Sequence, residues 1–287
     1  MKFSKDTKIL IVGLGVIGGS YASALTDAGY DVRCITKEQR DVDYAIEKKM
    51  ISYGTTELEP ELIKESDLVI FALYPTVFID WIEKNQSLFA PGTLITDVTG
   101  VKGTVVDRVQ ELLREDLEFI SAHPMAGRES CGVEFSDPKV FIGANYIVTP
   151  TEKNSPEAIE TCKELGRVLG FSKISELSVE KHDEMIAFLS QLTHCIAVSL
   201  MNCNETPELE KYTGDSFRDL TRIAKINDNM WSELFLMNKE ALLTEMDSFI
   251  KEFTEFKSLI ERNEREKLRE KMRASTKRRA LFDKINK

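Results

Sequence analysis

Apolar residues in the first part of the chain come in short unbroken runs, and those of the second part recur at helical spacing. Residues 8–12 form a run rich in Ile, Leu and Val, and 30–35, 67–73, 93–97, 118–122 and 144–149 repeat the style. Between them lie helix-forming stretches at 20–28, 43–49 and 103–114, the first closed by Gly29 and the strand at 67–73 stopped by Pro75. Such runs alternating with helices predict a mostly parallel sheet covered on both faces. Residues 157–169 predict one more helix and 171–177 a last strand. From Ser178 onward no strand pattern occurs. Met185, Leu189, Leu192, Ile196 and Leu200 recur at helical spacing, with Leu189, Leu192 and Ile196 on the core side; Leu234, Leu242, Met246, Phe249 and Phe253 do likewise. The expected organisation is an α/β domain over 1–177 and an all-α domain over 178–287.

The first strand runs straight into Gly13-Leu-Gly15-Val-Ile-Gly18, which opens the first helix. The first glycine permits a tight turn, the second lets backbone approach a pyrophosphate, and the third lets helix pack on strand. The free N–H groups of the helix then face the phosphates. In this strand–turn–helix setting the motif predicts dinucleotide binding. Leu14, Val16, Ile17 and Leu73 join the three glycines as expected cofactor contacts. An acidic residue closing the second strand would accept from the ribose 2′-OH of NAD. Thr36 stands there instead, followed by Lys37 and Arg40, whereas Asp31 lies at the wrong end of the strand. A hydroxyl with two nearby cations suits a 2′-phosphate, so NADP is expected, with NAD bound without the acidic contact as the alternative.

Composition narrows the partners. The 287 residues are 42% hydrophobic and 30% charged, a balance that fits a globular core. The net charge of −10 gives no general attraction for nucleic acid or an anionic membrane. Residues 262–287 hold 11 Lys and Arg against 4 Asp and Glu; with that tail at +7 the rest stands at −17, so the tail reads as a solvated helix facing an acidic body or a partner subunit. Lys2, Lys5 and Lys8, the run 9–12 and Ala22-Ser-Ala24 imitate a secretory leader, but Asp6 and four glycines between 13 and 19 spoil it. No uninterrupted apolar stretch reaches membrane-spanning length. The five cysteines show no paired spacing, as expected of reduced thiols in a cytoplasmic protein.

Three histidines carry most of the candidate chemistry. His123 directly follows a predicted strand, where ligands of an open parallel sheet gather, although a half-buried loop histidine would look the same. Ser190 and His194 are four apart on a predicted helix and share a face. They imitate a nucleophile–base pair, but no third orienting acid is evident, so a hydrolase is disfavoured. His182, after the N-cap candidate Ser178, reads as structural. Arg222 is the better cation for gripping a carboxylate. The histidines and cysteines lack ligand spacing, so no metal is expected.

Together these segments resemble the prephenate/arogenate dehydrogenase family of tyrosine biosynthesis. The resemblance spans essentially the whole chain and rests on Gly13-Leu-Gly-Val-Ile-Gly-Gly-Ser20, Asp97-Val-Thr-Gly-Val-Lys102, His123-Pro-Met-Ala-Gly127, Ser190-x-x-x-His194 and Phe217-Arg-Asp-Leu-Thr-Arg-Ile-Ala224. It implies an α/β Rossmann-like N-terminal domain followed by an all-α C-terminal dimerisation domain, hence a homodimer. It also implies oxidative decarboxylation of prephenate, with arogenate as the alternative substrate and NADP or NAD as hydride acceptor. By the same resemblance His123 meets the substrate ring hydroxyl, Arg222 holds a carboxylate, and Ser190 and His194 line the substrate pocket. Many members carry a serine in a run like Asp-x-Gly-Ser-Val-Lys. Here Gly100 takes its place, and Thr99 is expected to supply the hydroxyl if that contact exists. A β-hydroxyacid dehydrogenase would need a lysine on the long helix, and residues 183–200 contain none.

Overall fold

Buried on both faces, a central strand is mostly apolar, and three wholly buried strands lie side by side in the middle of the sheet. The computed structural model describes residues 3–127 and 130–283. Lys2 of the amino-terminal lysine group and 284–287 of the basic tail lie outside them. The strands are β1 (Ile9–Val12), β2 (Val32–Ile35), β3 (Tyr53–Thr55), β4 (Leu68–Phe71), β5 (Leu94–Asp97), β6 (Glu118–Pro124), β7 (Asn145–Thr149) and β8 (Lys173–Glu176). They form one sheet in the order β3-β2-β1-β4-β5-β6-β7-β8. Every pairing is parallel except β6 with β7, where His123 lies opposite Ile147. β1, β4 and β5 are wholly buried. This is an α/β Rossmann-like sheet followed by helices.

The helices on the sheet are α1 (Val16–Asp27), α2 (Gln39–Glu47), α3 (Pro60–Lys64), α4 (Pro75–Asn85), α5 (Gly103–Leu112) and α6 (Pro156–Val168). One apolar cluster gathers Tyr21, Leu25, Phe141, Tyr146 and Leu165; another gathers Phe71, Phe78, Ile82, Val105 and Phe119. Pro75 does more than stop a strand. It stands in the first turn of α4, where its missing N–H costs nothing. β3, α3 and α4 have no counterpart among the sequence-derived elements.

After β8 the chain is helical: α7 (Val179–Ile186), α8 (Thr193–Asn202), α9 (Asp215–Thr221), α10 (Asp228–Met237), α11 (Lys239–Glu261) and α12 (Arg265–Arg279). Ser178 caps α7 by accepting from the Lys181 N–H. α7 and α8 are joined by a wide π-helical stretch, Ala187–Leu192. The added residue per turn rotates the apolar stripe. Leu189, expected on the core side, is 44% exposed, whereas Leu192 is buried. The run Val179–Asn202 is thus one 24-residue helix whose most apolar window has mean hydropathy 1.4, long and apolar enough to cross a membrane by length and composition alone. Ser190, Gln191, Thr193 and His194 interrupt it, so it is not the uninterrupted apolar stretch that the sequence expectation concerned.

The secondary structure changes character at Ser178, but the compact units are Met1–Lys239 and Glu240–Lys287. Helices α7 to α10 therefore share a unit with the sheet.

Candidate active site

Carboxyl ends of the parallel strands point to one edge, and the glycine turn, Thr36, Asp97 and His123 all lie at strand ends there. At the end of β1, Gly13 turns with φ +97°, and a Cβ on it would come within 2.5 Å of the Ala72 carbonyl oxygen. Its N–H donates to the Ile35 carbonyl oxygen at 2.8 Å, tying the glycine turn to the end of β2. A Cβ on Gly18 would lie 2.1 Å from the Gly13 oxygen, so the third glycine is what allows α1 to start so close to β1. Gly15 differs: a Cβ there meets nothing within 4 Å. The space in front of it is open, as a pyrophosphate cradle requires. No side chain caps α1 and no acidic residue sits in its first turn, so its leading N–H groups keep their pull on an anion. Leu73 reaches the same place, its Cδ2 2.7 Å from where a Gly13 Cβ would be.

Thr36 is buried at the end of β2 and donates its N–H to the Thr55 carbonyl oxygen. Lys37 and Arg40 follow on the exposed side. Arg40 lies 3.5 Å from Asp41, an exposed contact that leaves most of the guanidinium in solvent.

β5 ends in a buried charged knot. Asp97 Oδ2 accepts from Lys102 Nζ at 2.9 Å and from the Thr99 N–H at 2.9 Å, and Oδ1 accepts from Ser121 Oγ at 2.5 Å and from the Ala122 N–H. Lys102 also donates to the Ala122 carbonyl oxygen and to Thr99 Oγ1. Both charged side chains are fully buried. Burial pulls the Lys102 ammonium below its ordinary pKa, and Asp97 opposes the pull. The Thr99 hydroxyl donates into this knot, to Asp97. With Thr99 only 3% exposed, the expected hydroxyl is committed inside the fold. Its neighbour Gly100 is the residue beside His123: a Cβ on it would lie 3.9 Å from His123 Cε1 and 3.5 Å from a Leu234 methyl.

His123 is half-buried near the end of β6, and its Nδ1 is 2.9 Å from His182 Nε2. His182 is fully buried and its Nδ1 is 2.7 Å from Asp183 Oδ1. Asp183 in turn accepts from the N–H groups of Lys102 and Gly103 at the start of α5, at 2.9 and 2.8 Å. Burial, then the neighbouring His182 and then Lys102, hold the His123 imidazole well below its usual value. His182 is also lowered, by burial first and Lys102 among the lesser causes, against the raising effect of Asp183. A neutral ring can accept a proton or hydrogen bond from a substrate hydroxyl. In sequence, His182 reads as structural or a hinge, and Asp183 is not singled out. Their adjacency on α7 says nothing of a partner 59 residues earlier, and the only signal was a histidine–carboxylate pair at the head of the first wholly helical stretch.

Ser190 and His194 meet through backbone: His194 donates from Nδ1 to the Ser190 carbonyl oxygen at 2.8 Å. The His194 ring stacks on Trp231, with centroids 3.7 Å apart. Gln191 donates to the Leu234 carbonyl oxygen, so the helix face that holds His194 is tied to the α10 residue packed at Gly100. Arg222 is exposed and opens the 3-10 turn Arg222–Ala224, which packs on α8. A Cβ on Gly100 would thus reach both His123 and Leu234, Leu234 accepts from Gln191 three residues before His194, and Arg222 lies on the turn against α8. Among the described residues no three His, Cys, Asp or Glu side chains gather to hold a metal.

Comparison with known proteins follows the same lines. The family model for the prephenate dehydrogenase nucleotide-binding domain matches residues 21–172, and that for the prephenate dehydrogenase dimerization domain matches 178–274. Prephenate dehydrogenase of Bacillus subtilis is 31% identical over 280 residues, covering 93% of this chain and 74% of that protein. The Lactococcus lactis prephenate dehydrogenase is 30% identical over 258 residues, covering 86% and 70%. A crystal structure of prephenate dehydrogenase from A. aeolicus in complex with hydroxyphenyl propionate and NAD+ superposes with TM-score 0.89 at 30% identity, covering 98% of this chain and all of that one. Synechocystis arogenate dehydrogenase, at 23% identity and TM-score 0.82, shares the fold. With both halves matched and relatives that span nearly its whole length, the chain belongs to the prephenate dehydrogenase family.

Proposed function

We propose that the chain catalyses oxidative decarboxylation of prephenate to 4-hydroxyphenylpyruvate. The observation that carries this reading is His123 at the carboxyl edge of the sheet that bears the glycine turn, its Nδ1 paired with His182, in surroundings that hold its imidazole well below the ordinary value. When bound, the nicotinamide accepts the hydride from ring C4. Loss of that hydride and of CO2 from C1 leaves an aromatic phenol and releases no net proton, so the protein needs an acceptor that draws electron density through the 4-hydroxyl rather than a strong base. His123 Nε2 fills that role. His194 and Arg222 supply positive or donor groups for the carboxylates, which are costly to desolvate unpaired. Ser190 frames the pocket through the wide helical turn. Gly100 leaves room where the family pattern has a serine, and Thr99 shapes the floor from within the buried knot.

Lys37 and Arg40 favour NADP over NAD, and the fit of either rests on Gly15 and the uncapped start of α1. Two copies associate through the helical part, where Leu243, Ile250, Phe253 and Ile260 are exposed. A spectrophotometric assay that crosses prephenate and arogenate with NADP and NAD tests the reading. Reduced cofactor forming with prephenate, at lower KM for NADP, is the expected result. No reduction with either substrate sinks the proposal, and turnover of arogenate alone moves the substrate to its amino counterpart.

A further inference from the structure

Asp183, His182 and His123 stand in a row that starts at the first turn of α5 and ends at the sheet edge. Each link has a fixed polarity. Asp183 Oδ1 meets the Lys102 N–H and His182 Nδ1, and Oδ2 meets the Gly103 N–H. With a backbone N–H on each of its oxygens, the carboxyl group is set as an acceptor. His182 Nδ1 must then carry a hydrogen, and the Nε2 of a neutral His182 ring is an acceptor. The only way for His123 Nδ1 to bond it at 2.9 Å is to donate.

We propose that Asp183 and His182 are positioning residues that fix His123 as its Nδ1–H tautomer, leaving the Nε2 lone pair for the substrate hydroxyl. An isolated neutral histidine prefers the opposite form, with hydrogen on Nε2, which would donate to the hydroxyl oxygen instead of accepting from it. The row overrides that preference. Burial, first among the causes, favours the neutral state of both rings. The Lys102 ammonium disfavours protonation of each, while Asp183 and Asp97 act on His182 in the opposite sense and are outweighed by its burial. The anchor is backbone: both N–H groups come from the start of α5, adjoining the Lys102 side chain that ties down Asp97. The inference rests on the reaction proposed above, in which His123 is the acceptor.

Two measurements on the full chain test it. Nitrogen-15 NMR of the imidazoles, in the absence of substrate, reads tautomers directly; with three histidines, His123→Asn and His194→Gln assign the signals. His123 and His182 are expected as Nδ1–H, with unprotonated Nε2. An Nε2–H signal for His123 overturns the proposal. Kinetically, His182→Leu should lower kcat by about 10²-fold or more while the KM for prephenate stays within about threefold. His182→Gln, whose amide oxygen can accept from His123 Nδ1, should recover at least about tenfold of that loss. Asp183→Asn should move His123 toward Nε2–H and lower kcat in step; if that variant does not fold, the Gln and Leu pair decides. Equal activity of Gln and Leu variants, both folded by thermal melt and binding cofactor normally, overturns the proposal. Should the wild type turn over no prephenate, the functional reading fails, and the NMR tautomers still decide the positioning role.

Discussion

At the smallest scale the proposed chemistry rests on His123, with Gly100 beside it. His123→Asn should lower kcat by roughly 10²–10⁴-fold with little change in cofactor affinity, measured by steady-state assay and nucleotide titration. Near-normal turnover would remove the ring from the mechanism. Gly100→Ser is expected to fold, because its Cβ meets only ordinary contacts and its backbone is not left-handed. It should raise stability by about 0.5 kcal/mol by restricting the unfolded chain. Activity at or above the parent level is expected from a hydroxyl placed near His123; a severalfold loss would mean the open space itself serves the substrate. His123 was legible in the sequence because it follows an apolar strand. For Thr99 two alternatives stood, a substrate hydroxyl or no such contact, and sequence does not say which way a hydroxyl faces; here it bonds Asp97 and Lys102. His182 was read as structural because its partner lies in another element.

Elements explain which signals reached the sequence. β1, β4 and β5 were legible since burial on both faces forces continuous apolar runs. β3 escaped because it is a three-residue edge strand with an exposed Tyr53 and a central glycine. α4 escaped because Pro75 ends strands and opens helices alike. The π-helical stretch lies beyond any pattern of apolar spacing, since the period it breaks is the one being sought. The junction of β1 and α1 makes two glycine substitutions separable. Gly15→Ala should fold normally yet weaken cofactor binding by about tenfold or more, as its methyl enters the space where phosphate oxygens approach. Gly18→Ala, pressed against the Gly13 carbonyl, should cost stability as well, by about 1–3 kcal/mol of overpacking. Denaturant melts and nucleotide titrations distinguish the two; equal melts would mean α1 shifts freely. At the end of β2, Lys37→Ala with Arg40→Ala should weaken NADP far more than NAD, and equal losses would dismiss a 2′-phosphate contact.

For the molecule as a whole, the half-buried His123 and the buried His182 tie stability to acidity. His123 and His182 are both held below the ordinary imidazole value, chiefly by burial. Below pH about 6.5 the unfolded chain therefore binds protons that the folded chain refuses. Stability fully present above that pH should fall as the solution is acidified, by up to about 1.4 kcal/mol per pH unit for each ring. Urea melts at several pH values check this, and His182→Gln should flatten the slope; a wild-type profile flat between about pH 7 and 5.5 would contradict it. Mass measurement in solution tests the homodimer.

The anchoring of Asp183 on the first N–H groups of α5 has a consequence for how such proteins can be recombined. A chimera that splices a foreign nucleotide-binding half onto these helices at residue 177 would inherit the glycine cradle and an imidazole at the sheet edge. If its own loop did not present two amides to the incoming carboxylate, the proposed row would lack its anchor, and the hybrid should load nucleotide but turn over about 10²-fold more slowly.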